Sequence, residues 1–365
     1  MLKIKDLTQY LDKVVPATYM ESYDNVGLLV GSPTAELTGV MVSLDMTEAV
    51  IEEAVAEGCN LIVAHHPIIF KGLKRLTGSN YVERTVMLAL EKGVRLYAAH
   101  TNLDNQHTGV NRVIADRLGL ESPTILAPKS QTLQKLITYI PQEATDSVME
   151  AIHQEGAGQI GNYSHCSFRV VGQGAFQAEE GAQPTVGAVG NLEKVTEDRV
   201  EVMFPMHLQG KVVAALKKAH PYEEVAYYIH STENVNQEIG AGMIGTLPEA
   251  MEGTAFLDYL KERMDLTALR HTPMPQQPIK KVAVCGGAGS FLIKAARRAG
   301  ADAYVTADVK YHEFFDAEDQ MMIADIGHYE SEVYTKELLK NIIRENFPNI
   351  AVRLSKVVTN PLRYY

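Results

Sequence analysis

Three short stretches carry side chains able to bind cations or move protons. His65-His66-Pro67 follows the apolar run Leu61 to Ala64, His100-Thr101-Asn102-Leu103-Asp104 follows Val94 to Ala99, and His328-Tyr329-Glu330-Ser331-Glu332 follows Met321 to Ala324 closely. In open α/β sheets, sites form beyond the carboxyl ends of strands, where loops from several strands converge. Adjacent histidines inside a strand point to opposite faces, but at a strand end before a proline the chain can turn and present both to one cleft. His328 and Glu332 stand four apart and share a helical face, while Glu330 points elsewhere. His65, His66, Asp104, His328 and Glu332 together make five nitrogen and oxygen ligands. Five is too many for one structural zinc and suits two divalent ions with a bridging carboxylate and open positions for water. Asp104 and Glu332 are the expected bridges, because a carboxylate divides two oxygens between metals and an imidazole offers one nitrogen. Zinc is the first expectation for the metal, with iron or manganese as alternatives. Hydrolysis is the default reaction class of such a pair.

Those residues need strands that end together. Leu7, Tyr10, Leu11 and Val14 fall at helical spacing, and Pro16 should end that helix. Val40 to Leu44 reads as a buried strand, 47–58 as a helix with Thr47 as N-cap and Gly58 as its stop, and Asn60 to Ala64 as the next strand. A helix around 81–93, the strand Val94 to Ala99 and a helix from Val110 to about Leu118 continue the rhythm. With an offset of 242, Val40-Met41-Val42-Ser43 falls on Val282-Ala283-Val284-Cys285, Gly58 on Gly300, Val63 on Val305 and His66 on Asp308. The expectation is therefore an α/β fold: a duplicated βαβ-type main domain whose sheets are flanked by helices.

Between the halves the pattern changes. Strands at 136–140, 168–171, 199–204 and 226–230 alternate with helices at 147–154 and 212–219, in the order βαββαβ of a ferredoxin-like α+β domain. The glycine-rich stretch 171–190 fills its middle as a loop or hairpin. The expected organisation is a main-domain first half over 1–129, an inserted domain over 130–232, and a second half over 233–365.

Composition excludes several classes. Hydrophobic residues make up 46% and charged residues 22%, the balance of a folded chain rather than a disordered or fibrous one. A net charge of −11, with no basic block, disfavours nucleic acid and anionic membranes as partners. No apolar stretch approaches the length of a membrane span, no signal-peptide pattern opens the chain, and Cys59, Cys166 and Cys285 lack zinc-knuckle spacing. A cytoplasmic protein with reduced thiols is expected.

The runs YDNVGLLVG (23–31), LIVAHHPIIF (61–70), YAAHTNLD (97–104) and GHYESE (327–332) closely resemble the Ngg-interacting-factor-three-like family, known in bacteria as GTP cyclohydrolase 1 type 2 homologs. The resemblance covers roughly 1–125 and 235–365. It places the family's dinuclear metal ligands on His65, His66, Asp104, His328 and Glu332, and all five residue types match. The central segment, with AHPYEEVAYYIH at 219–230, looks like the PII/CutA-like domain of the longer bacterial members. The resemblance also implies a toroidal homohexamer with its metal sites facing an internal cavity, and a metal-activated water that opens a guanine ring. Where many members have Thr-Gly-Glu, this chain has Thr306-Ala307-Asp308. Asp308, together with His100 and His312, is thus a candidate pocket group, either transferring a proton or orienting a ligand.

Two glycine patterns compete with this reading. Gly240 to Gly245 fits GxGxxG but lacks a preceding buried strand, and Val284 to Ser290 is a strand followed by a glycine-rich turn that would suit phosphate. The competing function is non-enzymatic: a metal-binding, regulatory or scaffold protein whose insert senses a small ligand.

Overall fold

The computed structural model describes residues 2–365. The chain divides into two compact units, one built from the residues up to Pro128 with Gln237–Tyr365, the other from Lys129–Asn236.

The first unit opens with α1 (Ile4–Val14), which buries Ile4, Leu7 and Leu11 and ends before Pro16. Then come β1 (Gly27–Val30), β2 (Val40–Ser43), α2 (Glu48–Ala56) and β3 (Leu61–Ala64). The Thr47 hydroxyl accepts the Val50 N–H at 3.3 Å and so caps α2. Next are α3 (Tyr81–Lys92), β4 (Arg95–Ala98), α4 (Thr101–Asp104), α5 (Val110–Arg117) and β5 (Glu121–Lys129). Asn80 caps α3 by accepting the Glu83 N–H at 3.0 Å, and Gly93, with φ at 65°, closes it in the left-handed conformation open to glycine.

The second unit contributes β6 (Leu133–Pro141), α6 (Thr145–Gln154), β7 (Ser167–Gln177), β8 (Leu192–Pro205), α7 (Gln209–Ala219) and β9 (Tyr227–Ser231). Its antiparallel sheet runs β7-β8-β6-β9, the ferredoxin-like order. Leu136, Ile140, Val200, Val202 and Phe204 pack there against Val148 and Ile152 of α6 and Val212 and Leu216 of α7. The glycine-rich stretch is a hairpin: its first part extends β7 to Gln177, and 178–191 connect to β8.

Back in the first unit follow β10 (Asn236–Met251), α8 (Gly253–Met264), β11 (Arg270–His271), β12 (Ile279–Ala288), α9 (Ile293–Arg298), β13 (Ala303–Ala307), β14 (Met322–Asp325), α10 (His328–Glu332), α11 (Thr335–Asn346) and β15 (Val352–Leu354). One sheet is ordered β1-β4-β3-β2-β15, the other β11-β14-β13-β12-β10-β5. Each holds three parallel strands in sequence, β2-β3-β4 and β12-β13-β14, bordered beyond the third by a short antiparallel strand. That correspondence is the duplicated pattern expected from the 242-residue offset.

Alternation along the strands sorts their side chains into different cores. Val40, Val42, Leu61 and Val63 join Val282, Val284, Val305 and Ala324 in one shared core with α1, α5, α8 and α11. Met41, Ile62 and Leu96 instead pack with α2 and α3, and Ala283, Cys285 and Tyr304 with α9. Central strands are buried on both faces, hence their continuous apolar runs.

Several elements go unannounced in the sequence reading, among them β5, β10, α8, β11, α11 and β15. β10 contains the GxGxxG glycines, which weaken any strand signal. Gly240 is needed there because a Cβ would strike the Ala127 and Pro128 backbone of the neighbouring β5, so the pattern is a strand-packing feature and not a nucleotide loop. β15 pairs in parallel with β2 across some 300 residues of chain, a partnership no local signal carries.

Leu7 is fully buried in the shared core. Leu7→Ala is expected to lower the stability of the first unit by about 2–5 kcal/mol, measured by denaturant titration, and a loss under about 1 kcal/mol would contradict the packing described.

Candidate metal centre

The C-terminal ends of β2, β3 and β4 from one sheet and of β12, β13 and β14 from the other line a single cleft of about 580 Å³. β3 delivers His65 and His66, the segment after β4 delivers His100 and Asp104, and α10, directly after β14, delivers His328 and Glu332.

His65 is wholly buried. Its Nδ1 donates to the Ala99 carbonyl at 2.8 Å, which leaves Nε2 as a lone pair facing inward. That Nε2 has no hydrogen-bond partner, and neither does the buried Oδ1 of Asp104, 3.5 Å away. Glu332 Oε1 stands 3.8 Å from the same nitrogen. Acceptors gathered in this way without a donor are relieved by a shared proton or by a cation.

The other Glu332 oxygen serves a second group. Oε2 is 2.9 Å from His66 Nε2 and 3.1 Å from His328 Nε2, and the two nitrogens are 3.3 Å apart. Each imidazole is held from behind by a carboxylate: His66 Nδ1 by Asp45 at 2.7 Å, His328 Nδ1 by Asp308 at 2.7 Å. This is the carboxylate–histidine arrangement that fixes a ring and raises its basicity toward a metal. Three groups have donor atoms close enough together to hold a metal ion: His65, Asp104 and Glu332; His66, His328 and Glu332; and His65, His66 and His100, with Glu332 common to the first two.

Electrostatics match the geometry. Burial alone would lower the pKa of His66, but its bonds to Asp45 and Glu332 raise it to about 10. His328 rises against burial to about 9 through Glu332 and Asp308. Burial and the charge of Glu332 push the Asp104 carboxyl up to about 7, while bonds from the histidines hold Glu332, despite burial, well below the usual carboxylate range. Protons thus occupy the places where cations would neutralise the site.

His100 belongs to the same cleft, its ring centroid 5.2 Å from that of His65 and 5.5 Å from that of His66. Nδ1 lies 2.9 Å from Asp24 Oδ1, and Asp24 also accepts the Thr101 N–H and hydroxyl. Burial opposes ionisation of Asp24, yet those bonds bring it down to about 2. His312 does not join them. It stands exposed on the 3-10 segment 311–317 and packs on the Tyr311 and Phe315 rings, outside the residues that line the cleft.

The glycine-rich turn after Val284 has a different use from the phosphate reading. Gly286 donates its N–H to Asn111 Oδ1 at 2.9 Å and Gly287 to the Ser331 hydroxyl at 2.9 Å, so both amides are occupied. Gly287 has φ at 61°, and a Cβ there would collide with the Glu332 carboxylate. Asn111 also donates to the Asp104 carbonyl at 3.0 Å, tying the segment after β4 to the turn of the other half. Asp24, Asp45, Asn111 and Ser331 carry no assigned role in the sequence reading, although Asp24 and Ser331 stand inside motifs quoted there. Asp45 was within reach of the strand-end rule, since it lies two residues after β2; nothing local gives Asp24, Asn111 or Ser331 the partner it has in the fold.

Folding raises the proton affinity of His66 and His328, so their contribution to stability is complete below about pH 6.5 and fades as pH climbs toward their folded values. Metal loading requires both rings unprotonated and should strengthen over the same range. The melting-temperature gap between Mn²⁺-loaded and chelator-treated protein is therefore expected to widen from about pH 6 to about pH 8. A constant or narrowing gap would remove these imidazoles from the ligand set.

A family model described as Duf34/NIF3 (NGG1p interacting factor 3) matches residues 2–361. A Bacillus subtilis protein named GTP cyclohydrolase 1 type 2 homolog is 37% identical, with 99% of this chain and 98% of the relative covered. A Halalkalibacterium halodurans protein of the same name is 38% identical over 98% and 97%. Among solved structures, a Bacillus cereus protein related to NIF3 superposes with a TM-score of 0.89 at 34% identity, covering 100% of this chain and 99% of that one. On these matches, spanning nearly the whole sequence, the chain belongs to the Duf34/NIF3 family.

Proposed function

We propose that this protein is a metal-dependent hydrolase with a dinuclear divalent-metal centre held by His65, His66, Asp104, His328 and Glu332, acting on a nucleotide-like or cyclic-amide substrate. The observation that carries the reading is the division of Glu332, one oxygen toward His65 and the other toward His66 and His328, beside the unpartnered His65 Nε2 and Asp104 Oδ1. Divalent ions, zinc first and iron or manganese next, would supply Lewis acidity there, acidifying water and polarising a carbonyl or phosphoryl oxygen.

The chain's own groups do the rest. Asp45 and Asp308 hold the His66 and His328 rings with their Nε2 atoms inward, and Asp24 holds His100 as the group that accepts or returns a proton beside them. Tyr23, Phe70 and Phe291 line the cleft and expose large ring faces, which suits a planar substrate. The names of the curated relatives point the same way, toward ring opening of a purine nucleotide.

We also read 130–232 as an inserted domain, since the strands that flank it, β5 and β10, are neighbours in one sheet and bring its chain ends close together. A cytoplasmic homohexamer is part of this reading, consistent with three free thiols, with described helices none of which is long and apolar enough to cross a membrane, and with the exposed Tyr311 and Phe315.

Metal analysis of protein purified without added metal should give close to two ions per chain, falling to one or fewer in Glu332→Gln. Turnover on a panel of purine nucleotides and cyclic amides should disappear in His66→Ala with the circular dichroism spectrum unchanged. Two bound metals without turnover on any substrate would favour a metal-binding or regulatory role. Asp45→Asn is expected to weaken metal binding about 10- to 100-fold, read by competition with a chromophoric chelator.

A further inference from the structure

The second unit contains a cavity of about 590 Å³ of its own, within the size range of small-molecule sites. Its walls are mostly apolar, with Tyr139, Phe176, Ala178, Pro184, Tyr222 and Ala226 among them. The room comes from Gly172 and Gly174, alternate residues of β7 whose missing side chains leave that strand face bare. The Glu197 side chain of β8 lies across the bare strand, where a Cβ on Gly174 would strike its carboxylate.

Glu197 is only 8% exposed, yet among the described residues no N–H group is hydrogen-bonded to its carboxylate and no cation is paired with it. A buried carboxylate with no cation is costly. Its polar neighbour is Tyr222, whose hydroxyl is buried and whose pKa is pushed to about 12, first by burial and then by the adjacent Glu197. His220 sets that tyrosine in place: its Nε2 donates to the Tyr139 carbonyl at 2.9 Å, and its Nδ1 accepts the Tyr222 N–H at 3.1 Å. The His-Pro-Tyr-Glu-Glu run at 220–224 thus builds one wall.

The surrounding charge is predominantly negative. Glu179, Glu197, Glu223 and Glu224 line the cavity, and the single guanidinium there, Arg199, is paired at 2.8 Å with Glu201. The hairpin connection is fastened over the cavity, with Gln183 donating its N–H to Glu223 at 2.7 Å and Thr185 its hydroxyl to the Pro221 carbonyl at 2.9 Å.

We propose that this cavity binds an organic ammonium ion, a protonated amine on an apolar or aromatic body, with the amine on Glu197 and the body between Phe176, Pro184 and Tyr222. A hard metal ion calls for about six or more oxygen ligands in a hydrophilic shell, whereas here one buried carboxylate faces mostly apolar walls.

The test uses the full chain and 2-phenylethylammonium, titrated by calorimetry, with 2-phenylethanol and phenylacetate as neutral and anionic counterparts of the same ring. The ammonium ion should bind saturably and at least about tenfold more tightly than either counterpart. Glu197→Gln should weaken it at least about tenfold. Gly172→Leu puts a side chain into the cavity at a position where nothing lies within 4 Å of the added Cβ, and should abolish binding while the circular dichroism spectrum persists. His66→Ala, in the other unit, should leave binding unchanged. No binding to the native chain, equal binding of the alcohol or the acid, full binding by Glu197→Gln or Gly172→Leu, or loss in His66→Ala would each overturn the proposal.

Discussion

The Glu332 carboxylate is the constraint around which the first unit is arranged. It is 3% exposed, and three imidazole nitrogens from β3 and α10 converge on its two oxygens. A buried anion with so many partners is tolerated only if the partners arrive with fixed geometry. Each imidazole is accordingly anchored through its second nitrogen: His65 by a backbone carbonyl, His66 by Asp45, His328 by Asp308. Room for the carboxylate requires a residue without Cβ at 287, and the Ser331 hydroxyl holds that turn in place.

This arrangement explains why the first unit needs both halves. His65, His66 and Asp104 come from one parallel three-strand set, and His328 and Glu332 from the other. Neither half alone completes either three-donor group that contains Glu332. The shared apolar core beneath fixes the distance between strand ends, because close packing transmits small shifts directly to the site. Asn111 adds a polar tie at the same level, bonding Gly286 and the Asp104 carbonyl at once.

The second unit solves a different problem with different means. Its sheet closes its core against α6 and α7, and its cavity arises from missing side chains on β7 rather than from converging strand ends. A cleft rich in imidazoles and a pocket rich in carboxylates and aromatic rings therefore occur in one chain, each contained within its own unit.

Much of this was legible in the sequence. Apolar runs of four to six residues identified the buried strands, Thr47 and Gly58 marked the ends of α2, and the strand-end rule singled out His65, His66, Asp104, His328 and Glu332 before any strand order was known. Local chemistry determines such features, because hydrogen-bond caps and side-chain alternation act over a few residues. Only the tertiary structure decided that β15 pairs with β2, that His312 faces outward, and that Asp24 and Asp45 stand behind His100 and His66. Those outcomes depend on contacts between residues tens to hundreds apart, which arise when two sheets bury a common core and carry no periodic trace along the chain.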